Sequence, residues 1–139
     1  MRKIIIFCDG GAKGNPGPAA IGILFYNEKG KVFKKIAKYI GKKTNNEAEY
    51  TAAIFALKKF KQIFGKKLAK ATEVEIRSDS ELLVNQMNGK YKILRDTIKP
   101  LFLELWNLKL DFKKVTFKLI SRKKNREADQ LVKEVLKSS

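Results

Sequence analysis

A chain of 139 residues has the length of one ordinary domain and leaves no room for a second. Its hydrophobic fraction of 44% is enough to build a core, which excludes a disordered tail. Lys and Arg number 31 against 14 Asp and Glu, a net charge of +17, with no histidine and one cysteine. Such an excess suits a polyanionic partner, because each neutralised phosphate releases a condensed counterion. A thermophile surface would enrich Glu along with Lys, and acids are scarce here. Zinc sites, Ser-His or Cys-His nucleophile systems and an internal disulfide are excluded. Chemistry must then rest on carboxylates, lysines, hydroxyls or bound hard metals.

In chain order, residues 4–8 (IIIFC) form a continuous apolar run, the pattern of a strand covered on both faces. The strand is predicted to stop at Asp9-Gly10-Gly11, with a loop running on through Pro18. Residues 20–27 and 32–40 are β-rich, and Asn27-Glu28-Lys29-Gly30 between them reads as a hairpin turn. The first three strands are therefore expected to form an antiparallel meander. Thr44 supplies N-cap chemistry, with Glu47 as its capping-box partner, for an alanine-rich helix running to about Phe64. Residues 74–78 alternate as a strand ending at Asp79, and a short helix follows from Ser80 to Asn88-Gly89. Arg95-Asp96-Thr97 opens a further helix, with Pro100 tolerable only in its first turn. Residues 115–120 are a last strand and 125–137 a last amphipathic helix. Strands first and then helix–strand alternation predict an α/β sheet with mixed strand directions. The opening apolar run is too short for a signal peptide, and no stretch approaches the roughly 20 apolar residues of a membrane span. A soluble, cytoplasmic protein with no membrane partner is expected.

Four acids stand out by position. Asp9 follows a buried strand, where a charge is costly unless paired or metal-bound; the alternative is an acid capping a strand end. Asp79 repeats that arrangement at a second strand end, where open α/β sheets place ligands, although it or Ser80 could be a plain N-cap. In the alanine-rich helix, at about 100° per residue, Glu49 shares its face with Ala53, Ala56, Phe60 and Ile63. Glu47 aligns instead with Thr51, Lys58, Lys61 and Gln62, with Ile54 the exception. Glu49 is thus the functional candidate and Glu47 the capping one. Asp129 lies at the edge of an apolar stripe in the last helix, where an acid in a first turn is often just solvent-facing.

The segment Asp9-Gly10-Gly11-Ala12-Lys13-Gly14-Asn15-Pro16-Gly17-Pro18-Ala19 closely resembles the opening signature of type 1 ribonucleases H. Thr44-Asn45-Asn46-Glu47-Ala48-Glu49 is similar to that family's TNN-x-x-E segment, with Glu49 at the acid position. Arg77-Ser78-Asp79-Ser80 resembles its strand end, and Asn125-Arg126-Glu127-Ala128-Asp129 its N-x-x-A-D helix start. The resemblance implies an α/β ribonuclease H-like fold: a mixed five-stranded sheet, first three strands antiparallel, with helices on both faces, in one domain over residues 1–139. It implies that Asp9, Glu49, Asp79 and Asp129 are the catalytic, metal-binding acids. Hydrolysis of the RNA strand of an RNA/DNA hybrid follows, with no small-molecule cofactor and with the protein a monomer. Hard-cation chemistry then suits Mg²⁺, two ions per site, with Mn²⁺ possible. By the same similarity, Gly10, Asn15, Asn45 and Asn46 are expected around the RNA strand, small Gly10 admitting close backbone approach.

The chain also departs from the family pattern. Many members carry a histidine shortly before the last acid, where this chain has Ser121-Arg122-Lys123-Lys124. Arg122 is expected to hold the leaving phosphate but cannot act as a general base. The basic, Trp-bearing protrusion of some bacterial members is missing, with only Lys90, Tyr91 and Lys92 near its place. Trp106, among Leu101, Leu103, Leu105 and Leu108, reads as a core residue. Phosphate affinity is expected from Lys13, Lys42, Lys43, Lys90, Lys92 and residues 122–126, while lysines between 58 and 67 read as a solvated helix face. Cys8 reads as a buried strand residue. Rival readings are an inactive nucleic-acid-binding domain of the same fold, or a related nuclease acting on DNA or double-stranded RNA.

Overall fold

A computed structural model describes residues 2–138. Strand β1 (Lys3–Ala12) pairs antiparallel with β2 (Gly17–Tyr26), which pairs antiparallel with β3 (Val32–Lys43). On its other side β1 runs parallel to β4 (Glu73–Ser78), and β4 parallel to β5 (Lys114–Leu119), so the sheet order is β3-β2-β1-β4-β5. Asn27 closes the β2–β3 hairpin: its Oδ1 accepts from the backbone N–H of Lys29 and of Lys31. This is the mixed five-stranded α/β sheet with three antiparallel strands that the sequence implies.

The pleat alternates side chains between two faces. Ile4, Ile6 and Cys8 of β1, with Ile21, Ile23 and Phe25 of β2, face α1 (Asn45–Lys70), α2 (Glu81–Met87) and α3 (Lys99–Lys109) in one core cluster. Ala20, one residue along β2, faces α4 (Arg126–Lys137), packing with Val132 and Leu136. Helices thus cover both faces. Two glycines set how closely they lie. A Cβ on Gly10 would sit 2.3 Å from the Ala48 carbonyl in α1, and one on Gly22 would sit 2.3 Å from the Ala128 oxygen in α4.

Thr44 caps α1 through a capping box: Thr44 Oγ1 accepts from the Glu47 N–H, and Glu47 Oε1 accepts from the Thr44 N–H. Several boundaries differ from expectation. The α1 segment runs six residues past Phe64, but across a break at Gly65, whose φ is +87°. Ile63, just before the break, is 45% exposed rather than core-facing, while Ile54 and Leu57 are buried, so the apolar stripe is wider than the Glu49 face. Helix α3 starts at Lys99, not Arg95, because Pro100 has no N–H and fits only at the first positions of a helix. Residues 95–98 form a turn instead, with the Arg95 carbonyl accepting from the Ile98 and Lys99 N–H groups.

Trp106 is a further correction. The buried stripe around α3 runs through Ile98, Leu105, Leu108 and Phe112, and Trp106 sits one residue off it. It is 39% exposed, stacked on Phe102 at 5.7 Å, with the Lys109 ammonium 3.5 Å from its ring. The α1 lysines are not all merely solvated: Lys58 pairs with Glu104 at 2.5 Å and Lys61 with Asp111 at 2.6 Å, joining α1 to α3 and the turn after it.

Candidate active site

The parallel pairing of β1 with β4 ends at Phe7 opposite Arg77, while β1 continues beside β2 for five more residues. A crevice opens where the two strands part, the usual place for a ligand in an open α/β sheet. Asp9 therefore lies within β1, opposite Gly22, rather than just after the strand. Asp79 follows the last residue of β4, and the neighbouring Ser80 is the N-cap of α2, its Oγ accepting from the Leu83 N–H. Of the two readings of this segment, the cap belongs to Ser80, which leaves the Asp79 carboxylate to the crevice. Glu49 comes in from the first turns of α1, and its Oε1 accepts from the Gly10 N–H at 2.6 Å.

Carboxylate oxygens of Asp9, Glu49 and Asp79 all lie within 4.8 Å of one another. Asp9 and Glu49 are only 6% and 9% exposed. At that separation two ionised groups repel by about 3 kcal/mol in a surface-like dielectric of about 20, so without a cation three full charges are not sustained. Burial, reinforced by Asp79 and Asp129, pushes the Asp9 carboxyl up to about 8. Burial, then Asp9 and Asp79, raises Glu49 well above the usual carboxylate range. Asp79 is also raised by burial, against the pull of the Arg122 guanidinium and a hydrogen bond from the Asn125 amide.

Asp129 is outside this group of three among the described residues. It stands in the first turn of α4, close enough to Asp9 for its charge to raise that carboxyl, and its Oδ2 is 2.9 Å from the Lys133 ammonium. The four acids share one open cleft of about 580 Å³, which Gly10, Asn45, Asn46 and Arg122 also line. Asn15 is not among the lining residues. Its Oδ1 accepts from the Asn45 N–H at 2.9 Å, and Asn45 Oδ1 in turn accepts from the Ala12 N–H, so it supports the rim from behind.

Lys133 carried no role in the sequence reading, and Asn125 entered it only as part of a motif, with no contact assigned. Lys133 lies one helical turn after Asp129, and that spacing was available as an i,i+4 signal. Asn125 is 1% exposed, and its Nδ2 donates to the Cys8 carbonyl at 2.8 Å, tying the start of α4 to β1 beside Asp9. Only the fold brings residues 117 positions apart into contact. Cys8 is buried as expected, and burial with Glu49 and Asp9 nearby pushes its thiol far above the usual range, so it is no nucleophile.

A family model described as reverse transcriptase-like matches residues 7–135. The structure of a ribonuclease H1 isolated from compost by a metagenomic approach is 46% identical, with a TM-score of 0.88, covering 96% of this chain and 95% of that one. The chain belongs to the ribonuclease H family. Within the family, the ribonuclease H1 structure from the halophilic archaeon Halobacterium salinarum covers 99% of both chains at 30% identity and a TM-score of 0.89. A bifunctional protein of Mycobacterium tuberculosis is 31% identical over 135 residues, 96% of this chain. The chain spans only 35% of that longer relative. The compost ribonuclease H1 also has a structure in complex with an RNA/DNA hybrid, at 47% identity and a TM-score of 0.88, covering 94% of each chain.

Proposed function

We propose that this protein is a metal-dependent endoribonuclease that hydrolyses the RNA strand of RNA/DNA hybrids. The observation that carries this reading is the convergence of Asp9, Glu49 and Asp79, from β1, α1 and the end of β4, with oxygens within 4.8 Å. The donor set fits a divalent cation. It consists of hard carboxylate oxygens only, two of the groups are buried, and their proton affinities are raised first by that burial and then by the charge of the neighbouring acids. Asp9, Glu49, Asp79 and Asp129 would hold Mg²⁺, two ions per site, or Mn²⁺ in its place. Bound there, the ions supply Lewis acidity toward the scissile phosphate and lower the pKa of attacking water.

The chain's own groups do the positioning. The Gly10 N–H fixes the rotamer of Glu49. Asn125 fixes the end of β1 through the Cys8 carbonyl and donates to Asp79. Arg122, exposed at the cleft rim and close enough to lower the proton affinity of Asp79, would meet a substrate phosphate. Asn15 and Asn45 use their side-chain carbonyls to hold the rim, and Asn45, which lines the cleft with Gly10 and Asn46, would turn its Nδ2 toward sugar or base edges while Asn15 positions it. Support for the hybrid as substrate comes from the compost relative seen with one and from the +17 charge. Among the described residues no helix is long and apolar enough to cross a membrane. A free, buried thiol suits the reducing cytoplasm, and strong self-repulsion suits a monomer.

The test is cleavage of a strand-labelled RNA/DNA hybrid beside matched duplex RNA and duplex DNA, with and without Mg²⁺, using Asp79→Asn as control. Metal-dependent cuts in the RNA strand of the hybrid are expected, with loss of at least a hundredfold in Asp79→Asn (~3 kcal/mol of barrier). Full activity in that variant, or cleavage without metal, refutes the assignment.

A further inference from the structure

We infer that Lys133 is an internal competitor of the divalent cation for Asp129. The inference rests on the metal-binding reading of the cleft. Lys133 lies four residues after Asp129 on α4, its ammonium is 2.9 Å from Asp129 Oδ2, and both side chains line the cleft with Asp9, Glu49 and Asp79. The ammonium thus sits where a cation bound by Asp129 would compensate the same charge. Without metal it offsets part of the negative charge that Asp129 adds to the cleft beside Asp9.

The exposures decide how strong the competition is. The Lys133 side chain is 66% exposed and that of Asp129 25% exposed, so the pair is largely hydrated. Exposed i,i+4 pairs of this kind are weak. The lysine therefore yields to a divalent ion at a modest cost in affinity and recaptures Asp129 when the ion leaves. A flexible four-carbon stem allows the ammonium to swing into solvent without moving the helix. Among the described residues Asp9, Glu49 and Asp79 have no such resident cation. Arg122 stands close enough to lower the proton affinity of Asp79, but no ion pair joins the two among those found in the described residues.

Calorimetric titration of the full chain with MgCl₂, repeated with MnCl₂, tests this without reference to activity. The variants are Lys133→Met, Asp129→Asn and the double substitution, a cycle that isolates the coupling between the two residues. Lys133→Met should tighten the apparent metal affinity about two- to fivefold, the range expected from releasing one weak ion pair. That gain should vanish in the Asp129→Asn background, and Lys133→Arg should leave the affinity near that of the unmodified chain. An unchanged affinity in Lys133→Met overturns the inference. So does an equal gain with and without Asp129, which would mean a general loss of positive charge. If the folded, unmodified chain takes up no metal at all, the metal-binding reading falls; if it takes up metal without the coupling, only the role of Lys133 falls.

Discussion

Replacing Asp9 with Asn should abolish cleavage yet stabilise the metal-free fold. The carboxyl ionises near 3.8 in an ordinary setting and is pushed up to about 8 here, by burial first and then by the charges of Asp79 and Asp129. The folded state therefore holds the proton more tightly than the unfolded chain. Between about pH 4 and pH 8 the native state binds more protons, so stability falls as pH rises through that window and levels off above it. Each tenfold change in proton affinity is worth about 1.4 kcal/mol, which bounds the penalty at pH 7 at about 4 kcal/mol. Glu49 and Asp79 share part of that repulsion and would relax with Asp9, so a gain of about 1–3 kcal/mol is expected from the substitution. For a domain of this size that is roughly 3–10 °C in the unfolding midpoint. Thermal unfolding followed by circular dichroism in EDTA at pH 4, 6, 7 and 8.5 measures it. The advantage of Asp9→Asn should be near zero at pH 4, grow to pH 8 and shrink when Mg²⁺ is added, because metal stabilises mainly the unmodified site. A variant less stable than the parent at pH 8 without metal, or a difference independent of pH, would show that the cluster carries no electrostatic strain.

Gly22→Ala should destabilise the fold by about 1–3 kcal/mol, read from urea unfolding, since the added methyl meets the Ala128 oxygen at 2.3 Å and Leu131 Cβ at 2.9 Å and forces α4 away from β2. Because Asp129 rides on α4, metal affinity should fall in the same variant. Asn125→Ala should cost about 1–3 kcal/mol by leaving the buried Cys8 carbonyl without its donor, measured by the same unfolding assay. It also removes a hydrogen bond that lowers the Asp79 carboxyl, so the activity profile should move to higher pH.

Much of this protein could be read locally. The apolar run at residues 4–8, the β-rich segments on either side of Asn27 and the capping box at Thr44 each depend on a few neighbouring residues, and each stands close to where it was expected. The choice of Glu49 over Glu47 also came from helical periodicity: Glu47 is engaged with the Thr44 N–H, and Glu49 points to the crevice beside Gly10. Where local pattern failed, the reason was geometric. Trp106 sits among leucines in sequence, but a helix turns about 100° per residue, and its offset from Leu105 carries it out of the core.

Sequence alone determined the element types, the chemical class of the site and which acids were candidates, because periodicity, capping and motif spacing are written in short stretches of chain. Tertiary structure decided what those acids do to one another. Parallel pairing ends at Phe7 while β1 continues beside β2, and this opens the crevice between Asp9 and Asp79. Gly10 and Gly22 let α1 and α4 close on opposite faces of the sheet. From that packing follow the 4.8 Å grouping of Asp9, Glu49 and Asp79, the tie from Asn125 to Cys8, and the placement of the local Asp129–Lys133 pair at the side of the cluster. Repulsion and burial act through space, so distances between residues far apart in the chain are settled only when the sheet is assembled and its helices are packed.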